Sequence, residues 1–561
     1  MIGDITELPP GGRLEADLCI IGTGPTGLAL AREFLGKPGL NVVMLEAGGQ
    51  EVEAAAQRLN DGVVLLGLPH RGNRNEGRAR AFGGTGRIWA GQCLPLDAID
   101  YAARPWVPHS GWPIGPEELA PFLARAEEFF HVPGAAYDAR NYAAFRLRPP
   151  GFNPAALRSL FTVYTPRVDT GADRLAEFRA AANVRVLLHA AVAEILTNAE
   201  GTRATGLSVL APDGTARQVL APRIVLCAGG LENARLLLLS DSARPAGLGN
   251  DRDLVGRFYQ DHPTGMTAEL ELGSADLADL QTRFRLLYGR DGRRYFPKFA
   301  LSEAVQREEK LLNGVAHLYF DYPEDSVQQT LREAVLALRR GRRPELSARQ
   351  ALGLAGGVGE LGRAAARRWL HGFSPIGRLT GIRLQCHLEQ APDPDSRVTI
   401  RRDRHDALGL PAMAIDWRYG ALERRTLQRL TELAVVEFAR LGLGRLRPYP
   451  WLHEAAAEWR TRLEDCCHQA GTTRMAARPE DGVVDPDGAV FGVDGLYIAG
   501  GSTFPTSGFA NPTLTMVALA IRLADHLKAR LTAPAPRRAA VAAPAAAKLP
   551  AAAAAARLGG G

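Results

Sequence analysis

Residues Gly22-Thr-Gly24-Pro-Thr-Gly27 spell G-x-G-x-x-G, directly after the apolar run 17–21 (DLCII) and at the start of a helical pattern over 26–35. The placement predicts a dinucleotide site. Gly22 permits the tight turn, Gly24 lets backbone approach a pyrophosphate, and Gly27 lets helix and strand pack closely. The helix amino terminus adds free N–H groups and the positive end of its dipole. Residues 41–45 (NVVML) read as a second buried strand, and Glu46 closes it 19 residues after Gly27. A carboxylate there can accept bonds from an adenosine ribose diol, and it argues against the 2′-phosphate of NADP. A second glycine-rich loop, 82–91 (FGGTGRIWAG), offers close backbone approach to a large cofactor. FAD and NAD both remain open on these residues.

The same strand–glycine–helix grammar recurs twice. Residues 223–228 (RIVLCA) open onto Gly229-Gly230 and the helical run ENARLLLLS, and 495–499 (GLYIA) lead through Gly500-Gly501 to a helix beginning near Pro512. A chain of 561 residues exceeds what one core holds. The expectation is an α/β (α+β overall) protein whose Rossmann-like domain is assembled from 14–100, 200–264 and 451–531. Residues 101–199, as substrate domain or connecting segment, and 265–450, with a basic helical insertion at 329–371, would form a second, substrate-binding domain. The ordered chain is expected to start near Leu14. The Ala/Pro-rich stretch 532–561 lacks bulky side chains and is expected to be a disordered tail. The aromatic positions Phe122, Phe129 and Phe130 sit at helical spacing and read as core.

The formal charge of +6 is no nucleic-acid footprint. It is also unevenly spread. The tail carries four cations and no acid, and residues 329–371 carry nine Arg against three Glu, which leaves the rest of the chain at −4. Apolar residues in 329–371 are spaced as on amphipathic helices. The segment reads first as a solvated helical face and second as a weak contact for a membrane surface or acidic partner. The six cysteines show neither C-x-x-C nor a Cys/His spacing for zinc or an iron–sulfur cluster, so no metal is expected. Sparse, apolar-flanked thiols predict a reducing, cytoplasmic compartment. No export signal or membrane-spanning segment is expected either.

Taken together, the motifs resemble the glucose–methanol–choline (GMC) family of FAD oxidoreductases. The resemblance covers nearly the whole ordered chain: GTGPTG…LEAGG, GGTGRIWAG, GWPIGPEEL at 111–119, CAGGLENARLLL at 227–238, VGRFYQDHP at 255–263, EQAPDPDSRVTI at 389–400, HQAGTTRM at 468–475, and the run 496–527 containing SGFANPTLT. It is similar to the bacterial branch acting on sugars, polyols and other secondary alcohols. What it implies is an FAD domain with a substrate domain built on an antiparallel sheet. His468 matches the catalytic histidine and Asn511 its partner. FAD contacts are implied for Gly22, Gly24, Thr26, Gly27, Glu46, Gly83, Gly84, Trp89, Gly91, Gln92, Val192, Ala228, Gly229, Gly501, Asn511, Pro512 and Thr513.

These assignments agree with the chemistry of the residues. Histidine titrates near neutral pH, as a general base for an alcohol O–H requires. Asn-Pro-Thr is also a helix start whose end favours developing negative charge. The expected reaction passes hydride from the carbinol carbon to flavin N5 while His468 takes the hydroxyl proton. Reoxidation is by O2 or a quinone-type or other acceptor. Family members with covalent flavin carry His where this chain has Ile88, so FAD is expected to be non-covalent. The cysteine-rich insert of membrane-linked sugar dehydrogenases is absent. A lyase or light-driven decarboxylase on the same scaffold, or a flavin-bearing electron-transfer subunit, are the alternatives. His262 reads as completing a buried hydrogen-bond network, and His387 and His405 have no constellation around them.

Overall fold

In the computed structural model, residues 1–68, 77–324, 358–453 and 457–532 are described, with scattered positions between 325 and 357. Residues 533–561 of the expected tail and about half of the basic segment 329–371 lie outside the described residues.

One layer is a six-stranded parallel sheet in the order Ile2–Asp4, Val184–Leu188, Val42–Leu45, Leu18–Ile21, Ile224–Leu226, Leu496–Ile498. Leu18–Ile21 and Val42–Leu45 are buried at every residue, as strands covered on both faces must be. The registers align their carboxyl ends. Ile21 pairs with Leu45 on one side and Leu226 on the other, and Leu226 pairs with Ile498. The loops starting at Gly22, Glu46, Cys227 and Ala499 therefore emerge side by side on one edge, where ligands of open α/β sheets bind. Helix Thr513–Thr532 packs against helices Pro25–Arg32 and Pro116–Phe129. Phe129 and Phe130 are buried and Phe122 partly so, all in the core of this layer.

Two expectations change here. Order begins at Ile2, not near Leu14, because Ile2–Asp4 adds in parallel to Val186–Leu188 and Ile5 is fully buried. Three residues with a Gly at their centre carry too little periodicity to announce an edge strand. Val184–Leu188 falls within 101–199, the stretch assigned to the second domain, yet it belongs to the parallel sheet. Its sequence, VRVLL, reads as a strand, but a parallel partner is non-local and leaves no mark in the strand itself.

The second layer is an antiparallel sheet that runs Leu446–Pro448, Thr264–Leu270, Gly381–Leu388, Gly314–Asp321, Arg294–Leu301, Leu157–Tyr164, Gln92–Cys93, with Leu287–Tyr288 beside Arg294–Leu301. Its central strands alternate, while Thr264–Leu270 shifts register between Met266 and Ala268. Phe299, Ala316, Leu384 and Cys386 enter a core with Phe284 and with Phe438 of the long helix Ala421–Arg440. The intervening Lys298, His317, Gln385 and His387 face a cavity instead.

Candidate active site

A cavity of about 740 Å³ runs from the carboxyl edge of the parallel sheet to the polar face of the antiparallel one. That volume falls within the range of about 300–1,000 Å³ usual for small-molecule and cofactor sites.

At the parallel-sheet end the chain is shaped to admit backbone-to-ligand contact. Gly22 has φ +98°, and a side chain there would meet the Cys227 carbonyl. Gly24 caps helix Pro25–Arg32 without a side-chain bond, and the space a Cβ would occupy at Gly24 is open. The second glycine loop closes over the first, since a Cβ on Gly84 would fall 2.7 Å from the Gly24 Cα. Glu46 is buried and held by three donors: Thr23 Oγ1 at 2.6 Å and Thr23 N at 3.1 Å on one oxygen, Gly48 N at 3.0 Å on the other. Burial raises its carboxyl above the usual range, and the bonds from Thr23 and Gly48 oppose that.

Gly22, Gly24, Thr26, Glu46 and Gly84 all line the cavity. So do Trp89, Gln92, Val192, Ala228 and Gly229, and at the far side Pro512 and Thr513 beside Asn511. Gly27, Gly83, Gly91 and Gly501 do not. A Cβ on Gly27 would strike the Gly22 carbonyl and one on Gly83 the Gly171 Cα, so these two glycines serve loop packing instead of facing the cavity. Open space beyond Gly24, an uncapped helix start and an oriented carboxylate on the adjacent strand end fit the pyrophosphate and ribose of FAD. Sequence reasoning missed Arg78 and Arg80, which line the same end and donate to Glu232 at 2.9 and 2.8 Å. Their spacing, Arg-x-Arg just before the second glycine loop, was the available signal.

At the antiparallel-sheet end, His468 and Asn511 line the cavity together with His262, Thr264, His317 and His387. His468 Nδ1 lies 3.1 Å from His262 Nδ1, with the rings at 75°. Asp261 ties the two backbones together. Its Oδ1 accepts from His262 N at 2.7 Å and Cys466 N at 3.0 Å, and its Oδ2 accepts from His468 N at 3.0 Å. Burial first and the Asp465 charge second push the Asp261 carboxyl up, and the three N–H donors pull it down. Burial lowers His468 to about 4, with the Lys298 charge contributing. His262 and His387 are depressed well below the usual imidazole range, also mainly by burial. Four histidines near one cation are therefore neutral at pH 7, since His317 is lowered too, to about 3.

His387 has neighbours the sequence did not disclose. It stacks on His317 at 5.2 Å and contacts Thr264 Oγ1 at 2.8 Å through Nδ1. Lys298 and His317 also escaped notice, although a lysine within RYFPKFAL is an evident charge in an otherwise apolar strand. His405 ends strand Arg397–His405 and does not line the cavity.

Comparison with known proteins agrees with this geometry. Two family models described as GMC oxidoreductase match residues 72–264 and 392–520, more than half the chain. The fructose dehydrogenase large subunit of Gluconobacter japonicus is 28% identical over 355 residues, covering 61% of this chain and 54% of that protein. The C-glycoside 3-oxidase of Arthrobacter globiformis is 34% identical over 160 residues, 28% of each chain. The chain thus spans about half of the first relative's length and about a quarter of the second's. The crystal structure of pyridoxine 4-oxidase from Mesorbium loti superposes with a TM-score of 0.55 over 92% of this chain and 99% of that one, at 19% identity. With both family models matched and the fold shared along nearly the whole chain, the protein belongs to the GMC oxidoreductase family.

Proposed function

We propose that the protein is an FAD-dependent oxidoreductase that converts a secondary alcohol, in a sugar, glycoside or polyol, to its carbonyl. The observation that carries this reading is a neutral histidine, His468, opening into the same cavity as a dinucleotide cradle. Fructose dehydrogenase and C-glycoside 3-oxidase among the relatives support the sugar and glycoside class. FAD in the cradle supplies the hydride acceptor.

The chain's own residues do the rest. Between His468 Nδ1 and His262 Nδ1 only one hydrogen can sit. Placed on His468 Nδ1, it leaves His468 Nε2 as the free lone pair that takes the alcohol proton. His262 then carries its hydrogen on Nε2. That atom lacks a partner of hydrogen-bond geometry, although the nearby Ser507 backbone favours a proton there. His262 is thus a positioning residue, fixing the tautomer and tilt of His468. Asn511, just before helix Thr513–Thr532, donates to the alcohol oxygen while staying uncharged, and the free N–H groups at the helix start favour negative charge nearby.

In this reading FAD is held without a covalent bond, because Ile88 lines the cavity where an attaching side chain would stand. O2 or a quinone-type acceptor completes the cycle. A cytoplasmic location is supported by six cysteines that are all free thiols. Among the described residues no helix is long and apolar enough to cross a membrane. Weak surface contact through 329–371 is supported by Trp369, which is 82% exposed beside Arg367 and Arg368. The two-domain division also belongs to this reading, with Val184–Leu188 moved to the FAD side.

The deciding experiment is anaerobic addition of sugars, glycosides and polyols to the holoprotein. Bleaching of the flavin by a secondary alcohol, slowed by orders of magnitude in His468→Ala, is the expected result. A flavin that stays oxidised with every alcohol overturns the assignment.

A further inference from the structure

The cavity wall opposite the dinucleotide cradle carries a buried cation without a counter-charge. Lys298 is only 7% exposed, yet its Nζ has one polar neighbour, Gln92 Oε1 at a long 3.4 Å. The Phe296 ring lies 5.7 Å away. No carboxylate forms an ion pair with Lys298 among the described residues, and the nearby Cys466 thiol is itself held protonated by burial. Buried lysines are normally paired, because an ammonium removed from water is costly until something replaces its hydration.

The surroundings are built to receive that replacement. Lys298 precedes the Phe299–Ala316 pair by one step, which sets it opposite His317, and His317 pairs in turn with Gln385. Because side chains alternate along strands, all three lie on the cavity face of the sheet. His317 is 8% exposed, and its Nδ1 is buried without a hydrogen-bond partner. A cation and an unpartnered ring nitrogen thus face the cavity that also holds His468. Burial lowers Lys298 to about 8, so the amine is still mainly protonated at pH 7.

We propose that Lys298, with His317 and Gln385 beside it, forms a subsite for a carboxylate on the substrate, making the preferred substrate an acidic sugar or polyhydroxy acid. The carboxylate would supply the missing counter-charge, and the neighbouring neutral imidazole and amide would donate to its second oxygen. This inference rests on the alcohol-oxidation reading for the reaction but not for the binding. Neutral alcohols would leave Lys298 desolvated and unpaired, and discrimination of that kind is typical of buried polar sites.

The test uses the FAD-loaded protein and matched pairs that differ in one carboxylate: gluconate and sorbitol, methyl glucuronoside and methyl glucoside, lactate and propane-1,2-diol. Binding to the oxidised protein is measured by calorimetry, and flavin reduction is followed separately under anaerobic conditions. The expected result is at least tenfold tighter binding of the acid in one or more pairs. That preference should collapse to less than threefold in Lys298→Met and persist in part in Lys298→Arg. Melting curves and flavin content establish that both variants fold. No preference in any pair overturns the subsite, as does a preference that survives in Lys298→Met. If acids bind through Lys298 but no alcohol reduces the flavin, the subsite stands and the alcohol-oxidation reading fails. If alcohols reduce the flavin without any acid preference, the subsite fails and the alcohol-oxidation reading stands.

Discussion

His468 and His262 face each other Nδ1 to Nδ1 at 3.1 Å, and Asp261 grips the backbone N–H of both. In the proposed reaction one imidazole orients the other, while the Asp261 side chain holds their backbones. Replacing His262 by Ala would free His468 to rotate and to exchange tautomers. Flavin reduction is expected to slow by about 10- to 100-fold, less than the roughly 10²–10⁴-fold expected for His468→Ala. Rapid-mixing measurement of both variants checks the order. Equal rates for His262→Ala and the parent would refute the positioning role.

The acid limb of the reaction follows from the His468 shift. A base lowered to about 4 by burial and the Lys298 charge is neutral above that pH and lost below it. The reduction rate should therefore rise with pH through about 4 and be level by pH 6. Lys298→Met removes part of the repulsion that disfavours the imidazolium, so its limb should move to higher pH. A limb left in place would show that burial alone sets the value.

Stability should depend on pH through the same rings. His262, His317, His387 and His468 all titrate lower in the fold than the usual 6.5. Below about pH 6.5 the unfolded chain binds protons that the folded chain refuses, so these groups remove stability as pH falls toward their folded values. Every proton the fold refuses in that window steepens the loss of stability as pH falls. Denaturant midpoints should drop between pH 7 and 5, and His317→Phe should flatten the slope. A midpoint independent of pH in the parent protein would contradict the neutral cluster.

Asp261→Asn replaces one acceptor oxygen by an N–H₂ that confronts a backbone donor. A buried N–H left facing another donor loses its bond at a cost of about 1–3 kcal/mol, so unfolding should become easier by about that amount and reduction slower. Thermal melting and turnover read the two effects separately. Unchanged melting would mean the loop is held by other contacts.

Glu46→Ala removes the acceptor aimed into the cradle, and Gly24→Val fills the open space beside it. Both should weaken FAD retention by at least tenfold, measured by flavin fluorescence released on dilution. Acid precipitation of the parent protein should release all of its flavin, as the absence of an attaching residue at Ile88 requires. Flavin that stays in the pellet would disprove non-covalent binding.

Local sequence determined the cradle. Gly22, Gly24, Glu46 and the apolar runs around them specify turn, approach and acceptor within a few dozen residues, because short-range sterics and burial on both faces leave little choice there. The motifs around His468 and Asn511 marked them as candidates, and both line the cavity. Only the tertiary structure decided what joins them. Which parallel partner Val184–Leu188 takes, that Ile2–Asp4 adds an edge, and that His262, Lys298, His317 and His387 converge on one wall all depend on pairings between distant strands. Alternation along a strand says which residues share a face. The register with a neighbour hundreds of residues away says what that face meets, and the packed sheet fixes it.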